Sequence, residues 1–373
     1  MLGSPMRNVS LSLLLVGILL APILGDSARA QRTDTTDVRT DTSAAEPEPT
    51  ADWLLLPFAS YAPATKIAGG IVAGYYHPAR PSSNAELTLT VTQRRQLTAR
   101  FEPELYLAGS QWRLEGMLLG SKYPDALYGI GGETPASAEE SYTARYATVD
   151  LVAQRRLRPR LRMGPRVFAR VGTVTDPEEG GRIAQGRVPG AEGGLNAGLG
   201  LSALWDGRDN IYYPRQGTYA EAVATWYSAG WGSSYTFGQL KTDLRSYRPA
   251  GRGVLAAQAY AAATLGQAPF QLLPLLGGSD RMRGYREGRF RDDVYWTVQA
   301  EYRMPLVWRL KGTAFVSVGE VGPRIGSALF DGIETAVGLG GRFRLTDDGV
   351  HGRLDVAYSR TGVELYIALG EAF

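Results

Sequence analysis

The chain has 373 residues, no cysteine, two histidines and a net charge of +3. The absence of cysteine excludes a disulfide framework and thiolate chemistry. His77 and His351 lie far apart, which argues against a histidine-based metal or catalytic cluster, and the small net charge argues against nucleic-acid binding.

The first thirty residues have the form of a secretory signal. Arg7 supplies the positive start, Leu11 to Leu24 the apolar run, and Ala28-Arg29-Ala30 a small-x-small cleavage site that leaves Gln31 as the mature start. An anchoring helix is the other reading, but the run is short of the ~20 residues a span needs. Residues 31–52 are polar, carry two prolines and show no apolar periodicity, which predicts a disordered linker. One domain is expected over 53–373.

From Trp53 onward, apolar and polar residues alternate with period two. Leu87, Leu89 and Val91 alternate with Glu86, Thr88 and Thr90; Leu161, Met163 and Val167 with Arg160, Arg162 and Arg166. The same pattern runs through Leu195–Ser202, Trp296–Arg303 and Arg353–Ser359, with no comparably long stretch at helical spacing. Charges in mid-strand suit a wet lumen, while apolar rows with Tyr and Trp near their ends suit lipid and its two interfaces. In hydrocarbon every backbone amide must be paired, so a spanning sheet must close on itself. The prediction is an all-β transmembrane antiparallel barrel.

The candidate strands are 54–61, 66–76, 85–94, 97–107, 112–122, 141–155, 159–171, 190–205, 218–229, 234–247, 252–266, 293–304, 311–319, 334–345, 350–359 and 363–373. That makes roughly sixteen, an even number as barrels of this kind have. The alternation slips at the start and around 234–247, where roughly fourteen is the other reading. If the chain starts in the periplasm, the long connections 123–140, 172–189, 267–292 and 320–333 fall outside, as in other barrels. Residues 206–217 are long for a periplasmic turn.

The stretch Leu276 to Asp293 holds five arginines, four acids and four glycines between two predicted strands. A floppy surface loop is one reading. Met282-Arg283-Gly284-Tyr285 favours another, a guanidinium folded inward onto a buried carboxylate.

Several motifs, in this order, resemble the outer-membrane assembly-factor superfamily typified by BamA and TamA, also called the bacterial surface antigen family. Tyr128-Gly129-Ile130-Gly131 is similar to its aromatic-G-x-G stretch. Asp206, Arg208, Asp209 and Asn210, followed by Pro214 and Gly217, resemble its D-x-R-D-N…P-x-x-G turn. Arg283, Gly284 and Tyr285 resemble its V-R-G-F/Y loop motif, with Met282 first, and Glu301 its acid on the next strand. Phe373 resembles its C-terminal sorting signal. The resemblance implies that the loop enters the lumen and that Arg283 meets Glu301. The family's F-x-D-x-G falls on Phe315-Val316-Ser317-Val318-Gly319, so Ser317 stands where the aspartate would, implying one ion pair plus a hydroxyl hydrogen bond. Residues 31–52 are too few and too polar for a periplasmic POTRA domain, which implies a minimal, POTRA-less branch.

Nothing points to catalysis or a cofactor. Arg166 and Arg170, with Glu102 and Glu104, suit a charged lumen lining. Ser279-Asp280 has no nucleophile elbow around it, and the glycines of GIGGE and LGGRF lack the strand–helix context of a phosphate loop. Gly338, Gly340 and Gly341 suit strand kinks or room for the inserted loop. Two functions follow from the resemblance: insertion or translocation of outer-membrane proteins or lipids through a seam between the first and last strands, weakened by Pro57 and Gly370, or a passive pore or structural subunit of a larger complex. The implied partners are outer-membrane lipids and unfolded barrel clients or other subunits.

Overall fold

The computed structural model describes residues 52–76, 83–324, 332–345 and 349–373. The expected signal segment, nearly all of the linker, and His77 lie outside the described residues.

Sixteen strands close into an antiparallel barrel: β1 (Asp52–Ala62), β2 (Lys66–Tyr76), β3 (Asn84–Thr92), β4 (Leu97–Leu107), β5 (Trp112–Leu127), β6 (Glu140–Arg158), β7 (Leu161–Thr175), β8 (Gly193–Asp206), β9 (Gly217–Tyr227), β10 (Phe237–Ala250), β11 (Gly253–Gly266), β14 (Val294–Val307), β15 (Leu310–Gly322), β16 (Glu334–Arg344), β17 (His351–Ser359) and β18 (Gly362–Leu369). Between β11 and β14 lies a small ribbon, β12 (Leu275–Leu276) paired with β13 (Phe290–Arg291). Every predicted strand is present, so the count is sixteen and the segment around 234–247 is a full strand.

The alternation sorts into two faces. Leu199, Leu201, Val298, Leu354 and Val356 point out and are exposed, while Thr297, Gln299, Glu301 and Arg303 on the opposite face of β14 are buried. A sheet with its apolar rows outward and its charges inward is stable only with lipid outside. Among the described residues no helix is long and apolar enough to cross a membrane.

Neighbouring strands share at least eight ladder pairs around the wall, some with a bulge or a short gap, except at one place. β1 is paired with β2 from Asp52 to Ala62, but with β18 only through Tyr61 and Ile367. One cause is a shorter last strand than the sequence suggested. The predicted strand 363–373 stops at Leu369, and Gly370, at φ 79°, turns the chain away from the wall. Glu371, Ala372 and Phe373 then fold into the lumen, where Phe373 packs with Tyr247, Val254 and Ala256. The predicted strand 363–373 is therefore corrected at its end. A carboxylate is costly against lipid, and inside it finds two arginines. Val363, Leu365, Ile367 and Leu369 do form the exposed outer row of β18.

Candidate functional site: a ring of charges under the inserted loop

The loop between β11 and β14 enters the lumen. The ribbon pairs Leu276 with Phe290 at its base, and Gly278 N donates to the Tyr285 carbonyl at 3.1 Å across its tip. Met282 adopts φ 51° and Gly284 φ 113°, so the tip turns tightly and aims the side chain between them inward. A Cβ on Gly284 would lie 3.1 Å from that of Ala336 as well as in a strained conformation, which is why glycine is needed there. The main chain is held from both sides: Gly284 N donates to Tyr366 Oη at 2.9 Å, and Ser359 Oγ donates to the Gly284 carbonyl at 2.7 Å. Tyr285 is fully buried and its hydroxyl donates to Glu334 at 2.6 Å. Burial, reinforced by that carboxylate, pushes the phenol up to about 12.

Arg283 is fully buried. Its Nη2 donates to Glu301 Oε2 at 2.6 Å, its Nη1 to Asp355 Oδ2 at 2.7 Å, and its guanidinium lies 3.6 Å from the centre of the Phe315 ring. The second contact differs from the sequence expectation. Ser317 Oγ is buried without a hydrogen-bond partner among the described residues, and Asp355, two strands further round, supplies a second full ion pair instead. Gly319 leaves room for the loop, since a Cβ there would sit 3.2 Å from Met282 Sδ.

The contacts continue into a closed circuit. Glu301 Oε1 accepts from Arg303 Nε at 2.6 Å; Arg303 lies 3.7 Å from Glu371; Glu371 Oε2 accepts from Arg342 Nε at 2.8 Å; and Arg342 Nη1 donates to Asp355 Oδ1 at 2.5 Å. Three guanidiniums and three carboxylates thus alternate around a ring that joins the loop, β14, β16, β17 and the C-terminal tripeptide. Their charges sum to zero, and all six side chains are nearly or fully buried. Desolvating so many charges is tolerable only with this mutual pairing. Among these, Asp355, Arg303, Arg342 and Glu371 were not singled out as site residues in the sequence. The only trace of them in the sequence is the glycines at 338 and 340, read there as kinks or room for the loop. A Cβ on Gly338 would lie 2.2 Å from Phe315 Cζ, and one on Gly340 would lie 2.0 Å from Asp355 Oδ1. Gly338 therefore clears space for the Phe315 ring beneath Arg283, and Gly340 for Asp355 and Arg342, whereas a Cβ on Gly341 would meet nothing.

The D-x-R-D-N turn lies at the other end of the same lumen. Asp206 holds Arg208 with bonds of 3.0 and 2.7 Å, Asp209 Oδ1 accepts from Arg215 N at 2.9 Å, and Asn210 Oδ1 accepts from Tyr212 N and Tyr213 N at 2.7 and 2.8 Å. Pro214 is buried, and a Cβ on Gly217 would strike the Gly207 carbonyl at 2.2 Å. The turn carries Tyr213. That ring lies 5.7 Å from the Arg303 guanidinium, 3.2 Å from Lys311 Nζ and 4.8 Å from the His351 ring. The aromatic-G-x-G stretch covers the loop from the opposite side: Tyr128 Oη accepts from Arg286 at 2.8 Å, and Gly131 N donates to the Arg291 carbonyl at 2.8 Å.

Arg166 pairs with Asp150 and Arg113 with Glu104, both lining the lumen. Among the described residues no group of three or more His, Cys, Asp or Glu is placed to hold a metal ion.

Residues 81–346 match the Omp85 superfamily domain, and the chain belongs to that superfamily. The protein is an outer-membrane barrel. Similar solved structures include BamA from Haemophilus ducreyi lacking POTRA domains 1–3, at 11% identity and TM-score 0.61, covering 86% of this chain and 70% of that one. CdiB from Escherichia coli is similar at 11% identity and TM-score 0.59, covering 87% of this chain and 64% of that one. CdiB from Acinetobacter baumannii is similar at 10% identity and TM-score 0.54, covering 86% and 65%. At these identities the likeness is one of fold, and this chain spans just under two thirds of each CdiB chain. No curated protein sequence matches the chain.

Proposed function

We propose that the barrel assists insertion or assembly of outer-membrane proteins by opening sideways between β1 and β18. The observation that carries this reading is the single ladder pair, Tyr61 with Ile367, where every other junction has at least eight. Parting those two strands breaks few hydrogen bonds and presents two edges of unpaired amides, and an unpaired edge is a template for a client's strand. The charge ring supports the reading from within. It ties the loop to β14, β16 and β17, so the wall beside the seam keeps its shape while the seam breathes. Neither catalysis nor a cofactor enters this account. The partners are outer-membrane lipids and unfolded barrel clients, or other subunits of an outer-membrane complex.

A passive pore or structural subunit is the second reading. It is favoured by lumen cavities of about 300 and 310 Å³ lined by charged residues, including Arg100, Arg170 and Lys241. Reconstitution separates the two. Purified barrel in liposomes should accelerate folding of a denatured barrel client under the first reading. Ion conductance without acceleration would favour the second.

A further inference from the structure

On the outward face of β6 the side chains run Arg145, Ala147, Val149, Leu151, Ala153, Arg155. The span from 145 to 155, at ~3.4 Å per residue and a tilt of ~40°, rises roughly 25 Å, the height of a barrel's apolar band. The two arginines therefore mark the two boundaries of that band. Their surroundings differ. Arg155 stands opposite Trp112 and Met163, an ordinary interfacial setting. Arg145, at the end carrying the long loops, stands opposite Lys122.

Lys122 and Arg145 are both exposed on the outer face. Directly opposed side chains in an antiparallel pair lie ~5 Å apart at Cβ, and like charges there repel. Among the described residues no acid pairs with either of them. The next residues across the ladder are Leu97 and Thr173, and the diagonal positions include Gly120, Thr143 and Val171; Arg95 lies in the turn just before Leu97. None of Arg95, Lys122 and Arg145 has an ion-pair partner among the described residues. Toward the membrane centre the outward surface is apolar, with Leu118, Val149, Leu151 and Val171 exposed.

We propose that Lys122 and Arg145 bind the phosphate of a phosphorylated glycolipid in the outer leaflet. A phosphate set between the two cations turns their repulsion into a pair of charge-assisted hydrogen bonds, and the guanidinium fork suits its oxygens. The acyl chains of the same molecule lie along the apolar row below. That continuity of cations above and hydrocarbon surface beneath selects a lipid rather than a free anion.

The test uses the full chain in detergent, with a diphosphorylated lipid A-type glycolipid, its dephosphorylated form, and inorganic phosphate. Retained lipid is read by native mass spectrometry and the thermal midpoint is followed in parallel. The intact chain should retain the phosphorylated form at least about tenfold more tightly than the dephosphorylated one. The Lys122→Gln/Arg145→Gln variant should lose that preference, and Arg155→Gln should keep it. Lys122→Glu, which sets a carboxylate against Arg145, should lose the lipid yet melt higher than the unaltered chain when no lipid is present. Equal retention by the unaltered chain and the double variant would overturn the site. Equal loss in Arg155→Gln, or the full effect from inorganic phosphate alone, would overturn the assignment to a lipid at this boundary.

Discussion

Arg303 links the lock to the end of the chain: its Nε donates to Glu301 at 2.6 Å and its Nη2 donates to the main-chain oxygen of Phe373 at 2.9 Å. Through Glu301 the same guanidinium is one step from Arg283 at the loop tip. The last three residues are thus part of the interior scaffold rather than the end of a lipid-facing strand. Glu371→Gln is expected to loosen the loop although it does not touch it, read as faster proteolysis within 277–289. Combined with Asp355→Asn, which shares Arg342 with it, the stability loss should fall short of the sum by more than about 0.5 kcal/mol.

Arg283→Ala leaves Glu301 and Asp355 each short of a partner in a dry site. Breaking a buried pair from one side costs about 3–5 kcal/mol. The folded band on a semi-native gel should therefore convert to the unfolded position at a lower temperature. Glu301→Gln should act similarly, and the double variant should be little worse than either single one. Two independent, additive losses would count against the pairing.

Asp355 and Ser317 make a sharper comparison. Asp355→Asn removes a carboxylate held by two guanidiniums and should destabilise by about 3–5 kcal/mol. Ser317→Ala removes a hydroxyl with no partner among the described residues and should change stability by no more than about 0.5 kcal/mol. Equal effects in chemical denaturation would show that the second acid is not where the geometry puts it.

Gly338→Ala should destabilise by about 1–3 kcal/mol, because the added methyl meets the Phe315 ring at 2.2 Å and the Val356 carbonyl at 2.5 Å. Gly341→Ala, three residues along the same strand, meets nothing and should be neutral. Thermal melts of the two variants distinguish a glycine kept to make room for Phe315 from one that is merely tolerated.

These comparisons also show what the sequence could and could not reveal. The barrel wall was legible because one solvent lies on each side, so each strand prints its period directly into the chain; β2, β4 and β11 fall within a residue of expectation. The loop tip was legible through the rare combination of arginine, glycine and tyrosine. Asp355 was not, because inward-facing acids abound in a wet lumen and only the closed register shows which one a loop side chain reaches. The inward turn at Gly370 was hidden for a related reason. A glycine and an acid near a terminus fit an interfacial end as well as a fold back inside, and Arg342 and Arg303 decide between them. The ribbon of β12 and β13 is two residues long on each side, too short to carry any period.

The seam is tested most directly by a reversible staple. The chain has no cysteine, so Tyr61→Cys/Ile367→Cys introduces the only thiols. The two positions are opposed in the ladder, at a separation antiparallel pairs share with disulfides. Oxidised barrel in liposomes is expected to lose its acceleration of client folding, and reduction of the same sample should restore it. Full acceleration by the oxidised, cross-linked barrel would contradict a seam that opens.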